Sequence, residues 1–176
     1  MGGTPKGLLT TPEGETVVAK LRRTLEEIGV PCVLVGNEPA YADQGLPVLV
    51  DRHSDLGPLG GLLALLEFAG DRFALSVACD MPFLTRDLLV RLRDAPAAPI
   101  VATRRGEARQ KWDPFFARYD AAAILPLAEQ GARAAELSLQ SLFERADAVA
   151  LPLSSEEARA LEDWDSPADR ARMLVR

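Results

Sequence analysis

The stretch Phe-Ala-Leu-Ser-Val-Ala-Cys-Asp-Met-Pro-Phe-Leu, residues 73–84, constrains the fold more than any other part of the chain. Its first half is almost continuously apolar and lacks the polar alternation of a strand with one wet face. Such a run fits a strand covered on both faces, as in a parallel α/β sheet. Pro82 has no N–H to donate to a ladder, so the strand stops near Asp80. Asp80 therefore falls at the carboxyl end of a strand, where open α/β sheets bind ligands. Thr85, Arg86 and Asp87 lead on into Leu88, Leu89, Val90 and Leu92, an N-cap followed by a helix. An acid at this point serves a metal and phosphate site or caps its own turn, and its neighbours must decide.

The rest of the chain narrows the class. At 176 residues one domain is the natural count, and it is long enough to bury a sizeable core. No apolar run approaches the roughly 18–20 residues of a membrane span, and the first residues lack a leader pattern of basic and apolar regions. Cys32 and Cys79 lie in apolar runs without metal-ligand spacing, which suggests free thiols in a reducing cytoplasm. With 26 acids against 20 bases the net charge is −6, so general nucleic-acid binding is disfavoured. A phosphate ligand would need local cations or a metal ion.

In chain order, Met1-Gly2-Gly3-Thr4-Pro5-Lys6-Gly7 is either a frayed terminus or a phosphate cradle with Lys6 as a point charge. Val17, Val18, Leu21, Leu25 and Ile28 recur at helical spacing, with Gly29 closing the helix. Residues 31–35 and 48–50 read as short strands. The first ends in Gly36-Asn37, a turn whose amide is available to a ligand, and the second in Asp51. Acids at the ends of two separate strands are more informative than either one. Gly57-Pro58-Leu59-Gly60-Gly61 then reads as a tight loop before an apolar helix through Leu62, Leu66 and Phe68. His53, the one histidine, has no partner for a metal site and reads as a solvated loop residue.

Strands are expected at 99–103, 113–119 and 148–153, and helices at 121–130, 137–145 and 168–174. Residues 104–111 carry four bases against one acid, suited to a solvated loop or to an anionic substrate. Near the end, Asp163-Trp164-Asp165-Ser166-Pro167 contains a good N-cap followed by proline.

Taken together these pieces resemble the MobA-type molybdenum cofactor guanylyltransferases. The resemblance is carried by Met-Gly-Gly-Thr-Pro-Lys-Gly at the start, Val50-Asp51, Gly57-Pro58-Leu59-Gly60-Gly61 and Cys79-Asp80-Met81-Pro82-Phe83. Asp163-Trp164-Asp165-Ser166-Pro167 is similar to the late Asn-x-Asn-Thr-Pro motif, with Asp165 in place of an amide. Asp113-Pro114 stands where a histidine-proline pair is frequent. The resemblance implies a single α/β domain of the nucleotide-diphospho-sugar-transferase type, with a Rossmann-like mixed, mostly parallel sheet between helices. It implies transfer of GMP from GTP to molybdopterin with Mg²⁺ as cofactor, release of pyrophosphate, and a cytoplasmic location. Molybdoenzymes or their assembly factors are the implied protein partners, without nucleic acid or membrane. By position, Lys6 would contact the triphosphate, Asp51 and Asn37 the nucleotide, and Asp80 both the phosphates and the metal. The alternatives are a cytidylyl- or sugar-phosphate nucleotidyltransferase, or a non-catalytic nucleotide-binding adaptor.

One departure sets a further expectation. The similar proteins place an apolar strand and Leu-x-Gly-Gly-x-x-x-Arg ahead of the methionine that aligns with Met1. Without that strand, the segments at 32–35 and 73–78 would face each other across a gap with unpaired backbone groups. Each buried orphan costs about 1–3 kcal/mol against a total stability of about 5–15 kcal/mol. The expectation is that Met1 is internal, preceded by on the order of twenty residues, a strand plus the rest of its loop. A chain beginning at Met1 is expected to show weak or absent transferase activity, because much of the phosphate cradle is gone.

Overall fold

The strand expected at Phe73 forms as β3 (Phe73–Val77) in the computed structural model, which describes residues 5–11, 13–51, 54–105 and 111–162. Its partners are β4 (Ile100–Arg105), β5 (Lys111–Asp120) and β6 (Val149–Ala150), in the order β3-β5-β4-β6. β5 is antiparallel to both neighbours, and β4 and β6 are parallel. A second, parallel pair joins β1 (Leu34–Val35) to β2 (Val48–Leu49). The sheet is mixed, as the resemblance implies.

Alternation along the strands builds two cores. Ile100 and Ala102 of β4 and Ala117 and Tyr119 of β5 meet α2 (Pro58–Ala69), α4 (Ala121–Arg133) and α5 (Leu139–Arg145). Val101 and Phe116, on the opposite face, meet α1 (Val17–Glu27) and α3 (Arg86–Arg93). Leu88, Leu89 and Leu92 of α3 are essentially inaccessible, and burying each is worth about 1.5–3 kcal/mol. Both α1 and α3 start as their sequences dictate. Thr16 Oγ1 accepts the Ala19 N–H at 3.2 Å, and Thr85 Oγ1 accepts the Leu88 N–H at 3.3 Å.

Arg118 shares a face with Phe116 and is 3% exposed. Its guanidinium donates to the carbonyls of Arg93, Ala95 and Pro96, which close the turn after α3, and lies 4.6 Å from the centre of the Phe73 ring. Burial pulls its pKa down from the usual arginine value.

Several expectations shift. β1 spans two residues rather than the five of the apolar run, because the chain reaches β2 only at Leu34 and Val35. β3 is half-buried over Leu75 to Val77 rather than covered on both faces, since one of its edges borders a cavity. Gly60 and Gly61 belong to the first turn of α2, not to a loop, because Gly57 (φ 55°) turns the chain and Pro58 starts the helix. α6 (Ser155–Ala160) forms where no element was expected, on a capping box between Ser154 and Glu157. His53, Asp163 to Pro167 and the helix expected at 168–174 lie outside the described residues.

Candidate active site

Between the β1–β2 pair and β3 runs a cavity of about 970 Å³. Leu21 and Leu25 of α1 close one side, Leu62 and Leu65 of α2 the other, and β1 and β3 present their edges to it. These edges are not hydrogen-bonded to each other. The gap expected from sequence between the two segments therefore coincides with the cavity. At the carboxyl ends of the strands the lining becomes polar, with Lys6, Asp51, Asp80, Arg105 and Asp113 all reaching it.

Asp80 leaves the sheet one turn after β3, where the Ala78 N–H still bonds to the Phe115 carbonyl at 2.8 Å. Its Oδ2 lies 3.2 Å from Lys6 Nζ, with the carboxylate 22% and the lysine side chain 36% exposed. A pair this open contributes little to stability, about 0–1 kcal/mol. It holds opposite charges at the cavity mouth, where both remain accessible to a ligand.

Lys6 is not part of a frayed end. Lys6 to Leu8 form a 3-10 turn, and the Gly7 N–H donates to Tyr41 Oη at 3.1 Å. The backbone passes so close that a Cβ on Gly7 would stand 2.7 Å from Tyr41 Oη, 2.8 Å from Val18 Cγ2 and 3.0 Å from Cys79 Cβ. Tyr41 Oη also meets Cys79 Sγ at 3.4 Å, and burial, then this thiol, pushes the phenol pKa well up. The phenol thus stays neutral and joins the Lys6 turn to the residue before Asp80. Sequence reading missed Tyr41, since nothing local distinguishes it from a surface aromatic in a Pro39–Gln44 turn.

Asp51 follows β2 and is half-buried on the cavity wall, which Gly57 and Pro58 at the start of α2 also line. The positive dipole end of that helix therefore borders the same cavity as Asp51. Asn37 is exposed, and it is its neighbours Gly36 and Glu38 that border the cavity. Cys32 and Cys79 are free and half-buried at the cavity wall, and burial raises the Cys32 thiol pKa.

The profile of the MobA-like NTP transferase domain matches residues 1–149. The chain belongs to that family. Molybdenum cofactor guanylyltransferases are among its relatives. One from Pseudomonas putida strain GB-1 is 33% identical over 177 residues, spanning 95% of this chain and 87% of the relative. Another, from Ralstonia nicotianae, is 31% identical over 183 residues, spanning 93% and 90%. Among solved structures, molybdopterin-guanine dinucleotide biosynthesis protein A from Archaeoglobus fulgidus matches with a TM-score of 0.75 at 17% identity, over 98% of this chain and 90% of that one. The 2-C-methyl-D-erythritol 4-phosphate cytidylyltransferase of Thermus thermophilus matches at 0.68 and 15% identity, over 97% and 92%. At these identities the structures establish the fold, that of the nucleotide-diphospho-sugar transferases.

The family is one of nucleotidyltransferases, which typically need a divalent metal. No group of three or more His, Cys, Asp and Glu side chains forms a metal cage among the described residues. A hard cation shared with phosphate oxygens needs less, one or two carboxylates, and Asp80 supplies one at the cavity mouth. The donor set fits a cation brought in with the nucleotide.

Proposed function

We propose that this chain transfers GMP from GTP to the terminal phosphate of molybdopterin and releases pyrophosphate. The observation that carries the reading is the Lys6–Asp80 pair at 3.2 Å, set at the mouth of a cavity that Asp51 also lines. An acceptor phosphate oxygen attacks the α-phosphorus of GTP, and the bond from that phosphorus to the bridging oxygen of pyrophosphate breaks. A phosphate monoester has a second pKa near 6 and is already largely ionised at neutral pH, so no protein base is required. The task left to the protein is alignment and neutralisation of charge.

In this reading Lys6 contacts the triphosphate, and the Gly7–Tyr41 bond keeps it there. Asp51 and the start of α2 take the nucleoside side, with Asn37 at the rim. Asp80 would hold Mg²⁺, which when bound would neutralise phosphate charge. The reaction belongs in the cytoplasm, with molybdoenzymes or their assembly factors receiving the product. No described helix is long and apolar enough to cross a membrane.

Pyrophosphate release with GTP, molybdopterin and Mg²⁺ tests the reading directly. Asp80→Asn should lower the rate by about a hundredfold or more while leaving the melting temperature within a few degrees. An unchanged rate would remove Asp80 from the reaction. Thermal shifts should be larger with GTP than with CTP or ATP, each with Mg²⁺; a larger shift with CTP would favour the cytidylyl alternative.

A further inference from the structure

We propose that Arg105 is the cationic contact for the acceptor's phosphate, an inference that rests on the guanylyl-transfer reading above. Arg104 and Arg105 are adjacent in a basic stretch, but the alternation of β4 sends them to opposite faces. The Arg104 guanidinium lies 4.0 Å from the centre of the Trp112 ring, a cation–π contact away from the cavity. Arg105 turns into the cavity, where its side chain is 33% exposed.

It is held there from one side. Its Nε lies 2.5 Å from Oδ2 of Asp113, which is 6% exposed and accepts the Phe115 N–H through Oδ1 at 3.0 Å. Nε and Oδ2 are not aligned for a hydrogen bond, so the contact is one of charge. One outer nitrogen, Nη2, rests 3.7 Å from the sulfur of Met81, the residue after Asp80. A thioether is a weak acceptor. The carboxylate thus anchors the inner part of the guanidinium, while the outer fork, suited to bidentate phosphate recognition, meets the weak thioether of Met81, next in sequence to Asp80.

Position then selects which phosphate. Among the described residues three cationic side chains line the cavity: Lys6, Arg72 and Arg105. Arg72 stands at the far end, donating to the carbonyls of Phe68 and Ala69. Lys6 is paired with Asp80 at the point of transfer. Asp51 follows β2 of the separate parallel pair, across the cavity from β3, and Arg105 closes β4, which β5 separates from β3 in the other sheet. With the nucleoside on the β2 side, Arg105 faces the group that approaches from the β4 side. That group is a dianionic phosphate monoester.

The test measures molybdopterin binding to the protein loaded with Mg²⁺ and a non-hydrolysable GTP analogue, alongside pyrophosphate release. Arg105→Gln should raise the Kd for molybdopterin about tenfold or more, leaving the Kd for the analogue within twofold. Arg105→Lys should fall between, since it keeps a charge and loses the fork. Wild-type binding and turnover with an unchanged molybdopterin Kd in Arg105→Gln would overturn the role of Arg105 alone. A rise in the analogue Kd would overturn it too, placing Arg105 on the nucleotide. Failure of the wild-type chain to bind molybdopterin would overturn both readings.

Discussion

The two sides of the cavity are built differently. On one side β3 and β4 each pair with β5 at five positions, and helices cover both faces. On the other, β1 and β2 share two paired positions, and α2 together with a few side-chain contacts ties them to the rest. Tyr41 reaches Gly7 and Cys79, and Arg22 of α1 reaches the Gln44 carbonyl at 3.3 Å. Long ladders and a two-sided core concentrate stability in the first side. The second has little to lose by staying open, and it carries Asp51 and the turn that follows β1. Stability and ligand binding are therefore separable by mutation, which few cores covered evenly on all sides would permit.

The largest effect is expected where the well-packed side is opened. Arg118→Ala leaves the carbonyls of Arg93, Ala95 and Pro96 without their donor and removes the Phe73 contact. It should cost on the order of 3 kcal/mol or more in denaturant unfolding, with turnover per folded molecule unchanged. A loss of turnover without a loss of stability would break the division between the two sides. Next comes Gly7→Ala, whose methyl cannot fit between Tyr41, Val18 and Cys79 without displacing the Lys6 turn. It should destabilise by about 1–3 kcal/mol and raise the KM for GTP, sharpening the assignment of Lys6.

The smallest effect lies at the rim of the stable side. Arg91, and then the Ser154 N–H at 2.8 Å, hold the Glu157 carboxyl below its usual pKa. Because the folded value is depressed, the stabilisation is present above the unfolded value of about 4.3 and is lost as pH falls through the lower folded one. Glu157→Gln should therefore lower stability at pH 7 by about 0.5–1 kcal/mol, since the pair lies at the surface with the carboxylate only partly buried. The gap between variant and wild type should close in melting scans run at progressively more acid pH. A gap that persists at acid pH would assign the effect to the cap geometry instead of the charge.

Much of this arrangement was legible in the chain. The strand before Asp80, the helix after Thr85 and the α1 stripe all follow from short-range rules of periodicity, capping and proline. Asp51 and Asp80, read as acids at the ends of two strands, line one cavity, and the structure adds Lys6 against Asp80. The Ser154–Glu157 capping box was present in the letters too, but a helix of six residues gives little periodicity to notice. Asn37, expected at the nucleotide, stands exposed at the turn, where its neighbours Gly36 and Glu38 border the cavity instead.

What the amino-acid order determined by itself is where strands end and which acids stand at those ends, because these follow from neighbours a few residues apart. The tertiary structure alone decided that Tyr41 buttresses Gly7, that Arg118 is interior, and that Arg105 and Arg104 part company. Each depends on segments 22 to 38 residues apart or on the face a strand presents once its partners are chosen. Side-chain identity is local, but burial and facing are set by packing, and no short-range pattern encodes them.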